Sequence, residues 1–205
     1  MKRKITIDMD DTPENHSLLS RRRFLNLAGR SMLTFGFAAP FLQGCATQDV
    51  EIVMKHLAEL AQLINSYRKQ NGLASIPISQ KLTAVAWKHV SDLTTHQPEK
   101  KCNGNLHSWS QHGKWKGGCY DSSNKATWPI MWDKPKEIAN YSEYGFEIAH
   151  AGSSSAQSAL NSWKKSAPHN AVILNYPPWD RYNWKALGAV FGGGYACAWF
   201  GEKKD

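Results

Sequence analysis

The sequence predicts an α+β fold, and three features indicate it. From Val50 to Tyr67 apolar residues recur at alternating spacings of three and four, which is typical of an amphipathic helix. A further helix-type segment follows Ser79, and another follows the serines 153–155. Near the C-terminus two apolar runs within residues 186–200 flank three glycines, which is the pattern of a β-hairpin. Helices that precede a late antiparallel hairpin indicate helices layered on an antiparallel sheet.

The second and third helices each have a start signal. Ser79 can cap a helix that runs to about Leu93, with one apolar face. The third helix is predicted to place Ala156, Ala159, Leu160 and Trp163 inward and to end at Pro168. The apolar residues after His169 then predict a strand.

Residues 97–145 are rich in Gly, Asn, Ser, Trp and Pro, and their apolar residues keep neither a helical nor a strand periodicity over any long stretch. They predict an extended loop region with short elements, and a loop of this length in a compact domain is usually functional. Cys102 and Cys119 flank its Gly-rich part, so we expect a disulfide that holds it, although pairings with Cys197 stay open. Cys197 lies in an apolar strand pattern, which favours a buried free thiol.

Residues 1–44 predict an export signal. Paired arginines at 21–23 precede an apolar run from Ser31 to Gly44, as in a twin-arginine signal peptide. The run is about half of the 20 residues that span a bilayer, so a permanent transmembrane helix is not expected. Residues 45–205 have the length of a single domain.

The signal ends in Leu42-Gln43-Gly44-Cys45, which resembles a bacterial lipobox. Cleavage before Cys45 and acylation of its thiol would attach the protein to a membrane, because two or more acyl chains anchor stably. An ordinary soluble signal peptide with a coincidental cysteine is the alternative. The expected location is the bacterial cell envelope, facing the periplasm or the exterior.

The net charge of +8 comes from basic residues scattered as short pairs. No long basic run is present that would follow nucleic-acid phosphates, so no nucleic-acid partner is predicted.

The region from Leu57 to Glu202 resembles the CAP superfamily, also called SCP, in its bacterial short form. Short motifs carry the resemblance, in the order in which the family has them. They are Ile64-Asn65-Ser66-Tyr67-Arg68, His107-Ser108-Trp109, Tyr144-Gly145-Phe146-Glu147-Ile148-Ala149, the run from Trp163 to Leu174, and the final hairpin.

The resemblance implies a three-layer α-β-α sandwich with a central antiparallel sheet and a cleft. In many members two histidines and two acidic residues line that cleft, and the histidine pair can bind a divalent metal such as zinc. His107 and His169 match the two histidines. The acidic pair does not match, because Phe146 stands at the usual Glu position, Glu147 is displaced by one residue, and Gln157 replaces the second acid. If Glu147 lies on a strand, that displacement turns it to the opposite face.

Two functions follow from the resemblance. The first is a non-catalytic binding or interaction module in the envelope, whose cleft presents His107, Trp109, Glu147, Gln157 and His169 to a glycan, peptide or protein. The second is a hydrolase of an envelope glycan or peptide, with His107 or His169 as general base and Ser108 or a metal-bound water as nucleophile. Adjacent side chains generally diverge, which disfavours a pairing of His107 with Ser108.

Overall fold

The computed structural model describes residues 58–205, which fall within one compact unit, Glu51–Asp205. The predicted export signal, Cys45 and the beginning of the first helix lie outside the described residues. The fold is α+β with an antiparallel sheet, as predicted. Among the described residues, no helix combines the length and the apolar character that crossing a membrane requires.

Three strands form the sheet: β1 (Phe146–Ala151), β2 (Ala186–Gly192) and β3 (Tyr195–Gly201). Their order is β1-β3-β2, and both pairings are antiparallel. The predicted hairpin is β2–β3, and both glycines of its turn, 193 and 194, have positive φ, which glycine adopts without steric cost. Strand β3 is central and buried along almost its whole length.

The described residues contain six α-helices. They are α1, described over residues 58–70, α2 (Gln80–His96), α3 (Pro129–Trp132), α4 (Lys134–Ala139), α5 (Ala156–Lys165) and α6 (Ala167–Leu174). The side chain of Ser79 caps α2 by accepting from the Leu82 amide at 2.9 Å, as predicted. The helix runs three residues past the expected Leu93, to His96.

The layers follow from the alternation of the strands. Ile148 and its neighbours on one face of the sheet pack with α1, α5 and α6, whereas Ala149 and its neighbours on the other face pack with α2. Helix α2 approaches β2 closely at Gly188, where an added Cβ would lie 2.1 Å from the carbonyl carbon of Leu82. The sheet is therefore the middle layer between two helical layers.

The expected strand after His169 is wrong. Helix α5 ends at Lys165, Ser166 has extended backbone, and Pro168 stands in the first turn of a new helix, α6. Proline is tolerated there because the first amides of a helix have no partner within it. The short apolar run at 171–174 fits a buried helix as well as a strand, so its period could not distinguish them.

The segment 97–145 holds more regular structure than the sequence indicates. Besides α3 and α4 it contains two short 3₁₀ helices, Pro98–Lys101 and Lys125–Thr127. The Cys102–Cys119 disulfide is present, with the two Cα atoms 5.2 Å apart, and Cys197 is a buried free thiol. The disulfide closes a loop that carries His107 and Trp109 toward the sheet.

Candidate functional site

The carboxylate of Glu147 joins two histidines inside the protein. Oε1 lies 2.5 Å from His89 Nδ1, and Oε2 lies 2.9 Å from His107 Nδ1. The side chain of Glu147 is wholly buried. Because strand side chains alternate, Glu147 faces the α2 layer while Phe146 packs on the opposite side with the α1, α5 and α6 cluster. The carboxylate displaced by one residue therefore still reaches His107, which the disulfide loop brings alongside.

The hydrogen bonds of His89 fix where its protons are. Its Nε2 lies 3.1 Å from the carbonyl oxygen of Ser108, which only accepts, so Nε2 carries a hydrogen. Its Nδ1 faces the Glu147 carboxylate, which also accepts when ionised. With Glu147 ionised, His89 is an imidazolium, and the indole of Trp109 stacks on its ring with the centroids 3.9 Å apart. The result is a buried and fully paired ion pair.

The environment of Glu147 keeps it ionised. Burial acts to raise its pKa, but the positive charge of His89 and hydrogen bonds from His107 and His89 outweigh burial, so the pKa lies below the ordinary value. Cys197 is affected in the opposite sense. Burial, the charge of Glu147 and a hydrogen bond to it raise the pKa of the Cys197 thiol well above its usual range. Cys197 is therefore a neutral thiol that donates to the carboxylate.

The consequence for His107 is a fixed tautomer. Its Nδ1 faces the Glu147 carboxylate, which accepts, so in the neutral ring the hydrogen is on Nδ1 and the lone pair is on Nε2 at the other side. The side chain of His107 is 24% exposed, and the ring of Tyr120 stands edge-on to it at 5.5 Å. Such a carboxylate-oriented imidazole is suited to bind a hydrogen-bond donor or a cation, or to accept a proton.

His169 lies close enough to His107 for their charges to interact. Burial, followed by the positive charges of His107 and His150, lowers the pKa of His169. Its Nδ1 is 2.8 Å from the hydroxyl of Ser166, the residue between α5 and α6. Burial also lowers the pKa of His150, on β1. His169 is thus near enough to His107 and His150 to respond to the charge of each.

Other sequence-predicted residues lie elsewhere. Trp109 is 1% exposed and belongs to the core, so it presents no face to a ligand. Gln157 is exposed on α5, and its amide donates to Asn161 at 3.1 Å rather than to a histidine. Ser108 is fully buried, and its hydroxyl accepts from the Tyr120 amide at 3.0 Å. A nucleophilic role for Ser108 is incompatible with that position.

The donor set does not fit a catalytic metal centre. In the described part of the chain, the one compact group of three metal-capable side chains is His89, Glu147 and Cys197. These side chains are buried and already bonded to one another, and the thiol is protonated. The imidazoles of His107, His150 and His169 do not converge into a second such group among the described residues, so they lack the three converging protein ligands of catalytic zinc.

His89 is the member of the site that the sequence reading missed. It lies on the apolar face of α2, among Leu82, Ala86 and Leu93, where a core role is the usual expectation. The apolar face of the helix predicted that His89 is buried, and a buried imidazole needs hydrogen-bond partners. That need was the signal that could have pointed to the site. Its partners lie 58 and 19 residues along the chain, which local patterns do not reveal.

The model of the CAP family, the cysteine-rich secretory protein family, matches residues 61–177. This chain belongs to the CAP family. Among solved structures, an extracellular protein from Bacillus anthracis with an SCP domain superposes with a TM-score of 0.52 at 17% identity, over 81% of this chain and 45% of that one. A cysteine-rich secretory protein from Staphylococcus aureus superposes with a TM-score of 0.48 at 15% identity, over 73% of this chain and 38% of that one.

This CAP chain thus spans less than half the length of both solved proteins, and the likeness concerns the fold. A search of curated proteins gives no significant match. In this CAP domain His89, Glu147 and His107 form a hydrogen-bonded triad around the buried carboxylate.

The depressed pKa of Glu147 predicts acid-sensitive stability. A carboxyl whose folded pKa is below its unfolded value adds stability that is present above the unfolded pKa, near 4.3, and lost as the pH falls through the folded pKa. Urea unfolding from pH 7 to pH 3 should show a steeper loss in wild type than in Glu147→Gln, because that variant lacks the titrating group. Parallel curves would contradict the assignment.

Proposed function

We propose that this CAP protein is exported, lipid-anchored at Cys45, and acts as a non-catalytic binding module of the cell envelope. The ligand, an envelope glycan, peptide or protein, would occupy the His107/His169 cleft. The observation that carries the proposal is the His107 ring, whose Nδ1 is held by buried Glu147 and whose Nε2 lone pair is left for a ligand. An imidazole fixed in this way is pre-organised, which lowers the entropic cost of binding.

The envelope location rests on the twin-arginine pattern and the lipobox-like end of residues 1–44, ahead of a domain at 45–205. The Cys102–Cys119 disulfide supports it, because disulfides persist in oxidising compartments outside the cytosol.

Labelling with a palmitate analogue tests the anchor. Wild type should incorporate the label and partition with membranes, whereas Cys45→Ser should do neither, because the acylated thiol is gone. Cys197→Ser serves as the control, since that thiol is buried. Equal labelling of wild type and Cys45→Ser would rule out the anchor.

Binding is favoured over hydrolysis by the positions of the candidate nucleophiles. Ser108 is buried with its hydroxyl engaged, and the cleft lacks the donors of a catalytic zinc centre. One observation supports a hydrolase as the second candidate: a carboxylate-backed His107 is a suitable general base for an attacking water. A hydrolase would release soluble fragments from peptidoglycan, and the release would stop in His107→Ala.

Calorimetric titration of the full-length chain tests the cleft, with Zn²⁺ as the probe of the free imidazoles. Weak binding heat is expected at pH 7.5, since zinc binds the neutral form of imidazole, and should be lost in His107→Ala. His112→Ala is the matched control, because His112 is an exposed histidine of the same disulfide loop that stacks on His96. Retention on peptidoglycan sacculi should follow the same order.

The outcomes are distinct. Equal heats in wild type and His107→Ala would place the zinc outside the cleft. Retention on sacculi that does not depend on His107 would contradict the cleft as the binding site.

A further inference from the structure

A second surface of this protein combines partly exposed aromatic rings with charged side chains. Phe146 is its centre, packed against Trp132 at 5.8 Å, Trp179 at 5.3 Å and Tyr182 at 4.9 Å between ring centroids. These rings come from three separate parts of the chain and are half-buried, so their outer edges reach solvent. Tyr144 extends the group, at 6.3 Å from Trp132, and is 59% exposed.

A pocket of about 190 Å³ opens beside these rings. Its walls are Tyr144 and Phe146 on the aromatic side and Glu143, Glu202 and Lys203 on the polar side. The Lys203 ammonium lies 3.9 Å from the Glu143 carboxylate, and both side chains are about half exposed. Glu202 accepts from the Asn183 amide at 3.0 Å through Oε1, which leaves Oε2 for a ligand. The pocket is smaller than the ~300–1,000 Å³ of drug-sized sites, so it fits a single ring of a longer ligand.

The pocket lies at the end of β1 away from His150, and strand alternation turns Phe146 to the face opposite Glu147, the partner of His107. Phe146 opens β1 opposite Phe200, and Glu202 and Lys203 follow the end of β3. His150 lies four residues further along β1, about 13 Å away at the rise of a strand.

We propose that this surface binds a neutral glycan chain, with one sugar ring in the pocket and its neighbours on the aromatic rings. A pyranose has an apolar C–H face, which suits an aromatic ring, and a rim of hydroxyls, which suits carboxylate acceptors and an ammonium donor. Two carboxylates against one ammonium give the pocket a net negative charge, so an acidic polysaccharide is disfavoured. This inference goes beyond the proposed function, because it assigns a second site and a ligand class that do not depend on His107.

Tryptophan fluorescence of the full-length chain tests the site, because Trp132 and Trp179 pack against Phe146 beside the pocket. Titration with chitohexaose, an uncharged hexamer of N-acetylglucosamine, should change the emission and saturate. Tyr144→Ala should weaken the affinity at least about fivefold through loss of a stacking ring. Tyr144 is well exposed, so the substitution should not threaten folding. Tyr176→Ala is the matched control, since Tyr176 is 50% exposed and does not line the pocket.

The outcomes separate this proposal from the cleft. Binding of chitohexaose that is lost in Tyr144→Ala and kept in Tyr176→Ala and His107→Ala would support the glycan site. No saturable change, equal weakening by both tyrosine variants, or a response to a peptidoglycan stem peptide or to polygalacturonate in place of chitohexaose would overturn it.

Discussion

Replacing Glu147 with alanine is expected to lower the free energy of unfolding by about 3–5 kcal/mol, the cost of breaking a buried ion pair from one side. The substitution would leave the His89 imidazolium buried without its counter-charge and would remove the acceptor used by His107 and Cys197. Urea unfolding at pH 7 measures the change.

Glu143→Ala is the matched control for this experiment. Glu143 is half exposed and lies 3.9 Å from Lys203, so its removal should cost less than about 0.5 kcal/mol. Glu147→Gln should fall between the two, because the amide oxygen can still accept one hydrogen bond but supplies no charge. A loss below about 1 kcal/mol in Glu147→Ala would mean that the triad is not a paired charge network.

The double substitution Cys102→Ser and Cys119→Ser is expected to cost about 3 kcal/mol, since the disulfide closes a 17-residue separation. The loop that it closes carries His107 and Trp109, so its loss should also weaken zinc binding at the cleft. Comparison of oxidised wild type with the double variant by urea unfolding and by calorimetry measures both effects.

Reductant provides the control for the disulfide. It should shift the unfolding midpoint of wild type toward that of the double variant and leave the double variant unchanged, because Cys197 is already a free thiol. An unchanged wild-type midpoint under full reduction would show that the loop is held by its packing alone.

The elements with local signals could be predicted from the sequence. Ser79 caps α2, the serines before α5 form a capping box at Ser155, and the glycines 193 and 194 turn the hairpin. Each signal acts within four residues of its effect, so a pattern can capture it. Helix α6 was missed because four apolar residues fit either period.

The site was predictable only in part. The family pattern singled out His107 and His169, and strand alternation indicated that Glu147 would leave the usual face. On the other face the partner of Glu147 is His89, which lies 58 residues away on α2. No local sequence pattern connects Glu147 with His89. The resemblance placed Trp109 and Gln157 in the cleft, whereas the fold puts one in the core and the other on the surface.

Glu147 is expected to fix neutral His107 with a hydrogen on Nδ1 and a lone pair on Nε2. Long-range ¹H–¹⁵N correlation spectra of uniformly ¹⁵N-labelled protein at pH 7.5, with His107 assigned by its absence in His107→Ala, report the tautomer directly. We expect a protonated Nδ1 and an unprotonated Nε2 in wild type, with mixed tautomers in Glu147→Gln. A wild-type His107 protonated on Nε2 would contradict it.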